Sequence, residues 1–202
     1  MAYQEREIKF FIQDLPALAQ RLQICGANLT RERTLERNLL LDTMDQNLKN
    51  TGQLLRLRQD DRARVTFKEK TQVENGIRTR TEIEITVDSF PVARKLFEAL
   101  GYQATVIYEK YRHVYRLGDV EVALDELPFG HFVEIEAPNN SMIEGVSQML
   151  GLDWSKSIAK NYMQLFNIAR ENLEFTFNDL TFTNFQDIIV LPGDLDVVPA
   201  DV

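Results

Sequence analysis

Three charged side chains at spacing two open the chain, in Glu5-x-Glu7-x-Lys9. In a β-strand, residues i, i+2 and i+4 share one face. Two carboxylates and one ammonium would therefore converge there, while Ile8 and Phe10 pack on the other side. Paired carboxylate oxygens are what a hard divalent cation prefers. One such triplet also describes the solvated face of any half-exposed strand, so the argument rests on repetition.

The pattern recurs on nearly every strand-like segment. Arg56 and Arg58 share a face with Leu55 and Leu57 behind them, and Lys68 shares one with Lys70. Arg78, Arg80, Glu82 and Glu84 lie on one side of the longest strand, opposite Ile83, Ile85 and Val87. Lys110 with Arg112 and Glu121 with Asp125 follow, and Glu134 and Glu136 alternate with Val133 and Ile135. A solvated sheet tolerates such charges but gives no reason for basic residues to interleave with paired Glu strand after strand. A closed, inside-out β-barrel does: its apolar faces point outward under helices, and its charged faces point inward around a polar anion and metal ions.

The elements that must hold these faces have ordinary boundaries. Asp14 can cap a helix bearing Leu15, Leu18, Ala19, Leu22 and Cys25, with Gly26 past its end. Asp88 or Ser89 can cap a second over Phe90–Leu100, and Ser141-x-x-Glu144 reads as the capping box of a third. The predicted order is strand, helix, four strands, helix, three strands, helix, then a final helix over about Ser157–Asn167. Asp60-Asp61-Arg62 and Glu74-Asn75-Gly76 read as hairpin turns, and Phe129-Gly130 as a tight turn.

With 202 residues, 44% hydrophobic and 27% charged, the chain can bury a sizeable core. Its apolar runs fall short of a membrane span, and MAYQEREIKF lacks the apolar centre of a signal peptide, so the expected location is cytoplasmic, with no membrane partner. A single Cys25 excludes an intramolecular disulfide and a cysteine-rich metal site. Two histidines, His113 and His131, argue against histidine-based zinc chemistry. The net charge of −8 sits mostly in residues 171–202, which contain seven acids and no Lys or Arg. The near-neutral body has dispersed basic residues rather than a contiguous stripe, so a small polyanion is a better ligand than a nucleic acid. The Phe-rich tail is expected to dock on its own barrel or on a second subunit in a homodimer, because that much exposed Phe and Ile would aggregate.

These residues resemble the CYTH domain proteins, or triphosphate tunnel metalloenzymes, which include class IV adenylyl cyclases, thiamine triphosphatases and inorganic triphosphatases. The likeness starts at Glu5-x-Glu7-x-Lys9. It runs through Leu40-Leu41-Asp42-Thr43, Leu55-Arg56-Leu57-Arg58, Thr66-Phe67-Lys68, Arg80-x-Glu82-x-Glu84, Val122-Ala123-Leu124-Asp125, Gly130-His131-Phe132-Val133-Glu134-Ile135-Glu136 and Lys160-Asn161-Tyr162. It implies an α+β fold: an eight-stranded antiparallel closed barrel with a charged interior, covered by helices. The corresponding division is a tunnel domain over 1–168 and an acidic, Phe-containing extension over 169–202.

The same resemblance implies roles. Glu5, Glu7, Glu134 and Glu136 would hold Mg2+ or Mn2+, with Glu82 and Glu84 as further candidate ligands. Lys9, Arg56, Arg58, Lys68, Arg80, Arg112 and Lys160 would hold phosphate oxygens. Lys9 and Asp125 are the catalytic candidates, Asp125 orienting a basic partner or a metal-bound water. Thiamine triphosphatases of the family usually carry Tyr where Leu40 stands, which disfavours that substrate. Hydrolysis of inorganic or nucleoside triphosphate ranks first, a class IV adenylyl cyclase second, and a non-catalytic polyphosphate-binding module third.

Overall fold

Period-two alternation becomes a sheet that closes on itself. The structure, a computed structural model, describes residues 2–202. Its strands are β1 (Ala2–Ile12), β2 (Asn28–Asp42), β3 (Leu54–Gln59), β4 (Ala63–Lys68), β5 (Gln72–Glu74), β6 (Ile77–Val87), β7 (Gln103–Leu117), β8 (Val120–Leu127) and β9 (Gly130–Glu136). They run antiparallel in the order β1-β9-β8-β7-β2-β3-β4-β6, and β6 pairs back onto β1 through Glu5↔Arg80 and Glu7↔Arg78. Eight strands close the ring, as the resemblance implies. The three-residue β5, which the sequence reading did not anticipate, is a fully exposed addition beside β6. Its turn onto β6 places Asn75 (φ 50) and Gly76 (φ 81) in the left-handed region, as a tight hairpin requires.

Apolar residues face outward and are covered in three places. Ile8, Phe10 and Ile12 of β1, with Val122, Leu124, Val133 and Ile135, pack beneath α1 (Leu15–Ile24) and α4 (Asn140–Met149), using Leu18, Leu22, Ile143, Val146 and Leu150. A second cluster joins Leu39, Leu41, Leu55, Leu57 and Val65 to Ala93 of α3 (Phe90–Ala99). The short α2 (Asn47–Asn50), also unanticipated, adds Leu48 to it. Asp42 positions α2 by accepting from the Leu48 and Lys49 N–H groups at 3.0 and 2.9 Å. Because α3 lies over β3, Ile83 and Ile85 on the outer face of β6 remain exposed, so the helical cover is incomplete.

Asp14 and Ser89 cap α1 and α3 as expected. The cap of α4 is Asn139, whose Oδ1 accepts from Met142 N at 3.0 Å. Ser141 lies inside the first turn and donates to that same oxygen, so the capping box read at Ser141 and Glu144 is displaced by an Asn two residues earlier. The last helix, α5 (Tyr162–Leu173), starts later and runs further than expected. Residues before it form an extended stretch and a single 3-10 turn, and the capping box of Asn161 with Gln164 sets its start.

The tail docks on its own barrel. Its main chain covers strand edges left open by the stagger of the ring: Leu180 exchanges hydrogen bonds with Ile107 and Glu109 of β7, and Ala200 N donates to Phe11 O of β1 at 3.0 Å. Phe175, Phe177 and Phe185 pack with Phe129 and Phe166, which buries Phe185 and half-buries Phe175 and Phe177.

Candidate functional site

The lumen is a cavity of about 450 Å³ lined, among the described residues, by ten Lys or Arg and eight Glu side chains. Every charged pair singled out by alternation on β1, β3, β6 and β9 faces it: Glu5, Glu7, Lys9, Arg56, Arg58, Arg78, Arg80, Glu82, Glu84, Glu134 and Glu136. Lys68, Arg112 and Glu121 do so as well. In an eight-membered ring, β9 stands opposite β3, so the wall that carries Glu134 and Glu136 lies across the lumen from the wall that carries Arg56 and Arg58.

Neighbouring strands match opposite charges in register, the arrangement that stabilises a sheet face. Lys9 is opposite Glu134, with Nζ to Oε1 at 3.1 Å. Arg80 is opposite Glu5 and donates from Nε at 2.6 Å, and Arg78 is opposite Glu7 and donates at 2.7 Å. Lys68 is opposite Glu82 at 2.5 Å and also reaches Glu5 at 2.9 Å. Arg56 donates to the Tyr108 hydroxyl and to Thr66, both at 3.3 Å, and Thr66 donates to Glu84 at 2.8 Å.

Two rows break the rule. Arg58 lies opposite Arg64 on β3 and β4, each neutralised by an acid, Glu36 and Asp60 respectively. The other row is acidic. Glu7, Glu136 and Glu121 are consecutive cross-strand neighbours on β1, β9 and β8. Burial, together with the charges of Glu5, Glu121 and Glu7, pushes the Glu136 carboxyl up to about 8. Glu134, only two residues away, goes the other way: burial would raise it, but Lys9, Arg112 and Lys110 hold it well below the ordinary range. Lys9 is lowered by burial, with Arg78 adding to the effect, while Glu134 and Glu7 oppose it.

Asp125 is fully buried behind the lining rather than in it. It accepts from Lys110 Nζ at 2.9 Å, from Arg112 Nε and Nη2 at 2.6 Å each, and from the Tyr162 hydroxyl at 2.7 Å. Four donors on one carboxylate make it an orienting group for two lumen cations. Lys160 also lies outside the lining and, unlike Asp125, is exposed. The chain turns there into the Asn161 cap, which places Asn161, Tyr162 and Met163 toward the lumen instead.

Alternation on β2 escaped the sequence reading because bulges shift its register between Leu29 and Thr34, so that Arg31 reaches the lining out of step with Glu36. Glu36 accepts from Arg31 and Arg58, and Asn38 accepts from Arg58 Nε at 3.0 Å. Arg31 and Arg64 enter the lining held by Asp60 of the β3–β4 hairpin, to which both donate. Tyr162 was visible only as part of a sequence likeness. Its ring lies 3.9 Å from Lys9 Nζ, a cation–π contact that the spacing of neither residue announces.

A closed antiparallel barrel with an ionic lumen defines a class in which the charged side chains are gathered inside the ring of strands. The chain belongs to the CYTH domain family, whose profile matches residues 3–146. It is 27% identical over 172 residues to a Methanocaldococcus jannaschii protein provisionally named an adenylate cyclase, covering 80% of this chain and 97% of that one. A Vibrio parahaemolyticus structure, provisionally called an adenylate cyclase, superposes with a TM-score of 0.71 at 20% identity, over 81% of this chain and 98% of that one. A Hippeastrum structure superposes with a TM-score of 0.60 at 17% identity, over 96% of this chain and 100% of that one. It is described as a provisional adenylyl cyclase with a dominant triphosphatase activity. Among the described residues no helix is long and apolar enough to cross a membrane.

Proposed function

We propose that the protein hydrolyses a triphosphate, inorganic or nucleoside, bound along the lumen with a divalent cation. The observation that carries this reading is the pairing of opposite walls: Arg56 and Arg58 of β3 across from Glu134 and Glu136 of β9. The guanidinium forks suit phosphate oxygens, while the carboxylates suit a hard cation, so the ligand they jointly fit is a metal-bound polyphosphate.

The donor chemistry fits Mg2+ or Mn2+: the lining supplies carboxylate oxygens and contains neither His nor Cys among the described residues. Among those residues no three such side chains already converge at ligand distance, because Glu5, Glu7 and Glu134 are drawn to basic partners. Glu136, beside Glu7 and Glu121, is the carboxylate whose charge its own surroundings resist most, and it gains most from a cation. Bound there, the cation supplies charge neutralisation and a more acidic water.

The remaining work belongs to the protein's own side chains. Arg56, Arg58, Lys68 and Arg80 hold phosphate oxygens and neutralise charge on the transferring group, the main source of rate in phosphoryl transfer. A water oxygen bonds to the terminal phosphorus as the bridging P–O bond breaks, leaving orthophosphate and the shortened chain. Lys9, whose burial loosens its proton, is placed to offer that proton to a phosphate oxygen. The dominant triphosphatase activity of the Hippeastrum protein supports this reading, whereas the naming of the M. jannaschii relative favours cyclisation of ATP. Cyclisation needs a nucleoside held with its ribose hydroxyl in line with the α-phosphorus. Tyr108 and Tyr162, however, are buried and already hydrogen-bonded, which leaves them poor platforms for a base.

The test is incubation with tripolyphosphate, ATP and thiamine triphosphate in Mg2+ or Mn2+, with products resolved by phosphorus NMR. Orthophosphate release, with tripolyphosphate among the better substrates, is the expected result. Cyclic AMP with stoichiometric pyrophosphate would replace this reading with the cyclase, and metal-dependent binding without product would replace it with a binding module.

A further inference from the structure

On the β2–β3–β4 wall of the lumen, Arg31, Arg56, Arg58, Arg64 and Lys68 are joined by one acid among the described lining residues, Glu36. It is wholly buried. Its Oε1 accepts from Arg31 Nη1 and Arg58 Nη1, both at 3.2 Å. Its Oε2 has no hydrogen-bond donor and lies 3.8 Å from Lys110 Nζ, the residue opposite it in register on β7. A carboxylate kept only to tie strands together would have both oxygens satisfied, because a buried unpaired acceptor costs about 1–3 kcal/mol.

Burial pushes this carboxyl up, but Arg58, Lys110, Arg112 and Arg56 together hold it well below the ordinary range. It is therefore a resident anion with two guanidinium donors and a nearby ammonium, the donor set that a phosphate oxygen would recruit. We propose that Glu36 determines specificity for phosphate-chain length: its carboxylate occupies the place on the basic wall where one further phosphate would sit. The proposal rests on the triphosphate reading above. With the lumen empty, Glu36 keeps Arg58 and Arg31 aimed inward. With a chain bound, Arg56, Arg58, Lys68 and Arg80 hold its phosphates, but an additional phosphate advancing along this wall would set its oxygens against those of Glu36. A chain extending toward the opposite wall meets Glu134, Glu136 and Glu121, carboxylates again when no cation is bound.

The experiment is calorimetric titration of the whole protein with tripolyphosphate and with tetrapolyphosphate in EDTA, so that neither is turned over. It compares the wild type with Glu36→Gln and Glu36→Asp, each checked by thermal melting. The wild type is expected to bind the four-phosphate chain no more tightly than the three-phosphate chain. Glu36→Gln should shift the ratio toward the longer chain by about tenfold, the scale of one removed repulsion at the surface of a lumen. Glu36→Asp, which keeps the charge, should retain the wild-type ratio. Wild-type affinity that climbs with the fourth phosphate would overturn the proposal, and that measurement suffices even if Glu36→Gln does not fold. An unchanged ratio in a folded Glu36→Gln overturns it too. Where binding needs the cation, the ratio of KM values for the two chains in Mg2+ reads the same discrimination and decides the proposal in the same way. Wild type that binds neither chain in EDTA and neither binds nor hydrolyses either in Mg2+ or Mn2+ would remove the triphosphate reading itself, a result distinct from binding without discrimination.

Discussion

Glu7 of β1 and Glu136 of β9 are direct cross-strand neighbours on the lumen face, two carboxylates side by side. The like-charged Arg58 and Arg64 of β3 and β4 have Glu36 and Asp60 to neutralise them, whereas Glu136 has a second acid, Glu121, on its other side. Like charges in that position destabilise a sheet unless something positive joins them. Glu136→Gln keeps the shape and removes the charge, so metal-dependent turnover is expected to fall by more than about a hundredfold. The melting temperature of the empty protein should hold or rise. Undiminished turnover in Mg2+ would take Glu136 out of the metal site.

The same relationship sets a pH dependence. The Glu136 carboxyl is raised to about 8 in the folded protein, above its ordinary value of 4.5. Between those values the unfolded chain has released a proton that the native state still holds, so the native state is progressively disfavoured as pH rises through that window. Thermal melts in EDTA should therefore decline from about pH 5 toward about pH 8, and Glu136→Gln should flatten that slope. A slope identical in both proteins would assign it to other groups.

Lys68→Ala tests the basic wall. The ammonium pairs with Glu5 at 2.9 Å and Glu82 at 2.5 Å, all three buried. Its removal leaves two carboxylates short of a partner, and breaking such a pair costs about 3–5 kcal/mol. Denaturant unfolding should show a loss on that scale, and calorimetry should show weaker tripolyphosphate binding. Arg58→Ala should weaken binding likewise, and full affinity in both variants would place the phosphates elsewhere.

Tyr162→Phe removes only the hydroxyl that donates to Asp125 at 2.7 Å and keeps the ring 3.9 Å from Lys9 Nζ. A hydrogen bond to a charged group is worth about 1.5–3 kcal/mol, so a stability loss of that order is expected. If Asp125 works by aiming Lys110 and Arg112, KM for the triphosphate should rise as the carboxylate loosens. Unchanged stability and KM together would show that the remaining three donors suffice.

Removal of residues 175–202 strips the cover from β1 and β7 and exposes the Phe129 and Phe166 rings. An open edge beside an apolar patch invites association. Light scattering should show the shortened chain aggregating below the melting temperature of the full one. A monodisperse, folded product would make the tail dispensable.

Much of the barrel could be read from the chain because alternation at period two survives any closure: Glu5, Glu7 and Lys9 share a face in an open or a closed sheet. Which strands become neighbours is a long-range matter, and Glu121 shows the gap. Its inward direction was foreseen from Asp125, but its place beside Glu136 depends on the register of β8 and β9. β2 was harder still, since bulges between Leu29 and Thr34 interrupt the period that would have marked Glu36. Lys160 failed for the opposite reason: it precedes a helix cap, where neither strand nor helix periodicity determines direction.

Ring closure also orders events in time. β1 takes its two neighbours from β6 and β9, with Glu7 meeting Arg78 on one side and Glu136 on the other. During synthesis the strand bearing Glu5, Glu7 and Lys9 leaves the ribosome before the other strands of the ring yet must wait for β9, the last of them, before its second edge is paired. Contacts so distant in sequence make closure a slow step. Until then the future lumen is a hydrated ionic surface, compatible with water for as long as the wait lasts, and its ring of charges becomes complete only at the final pairing.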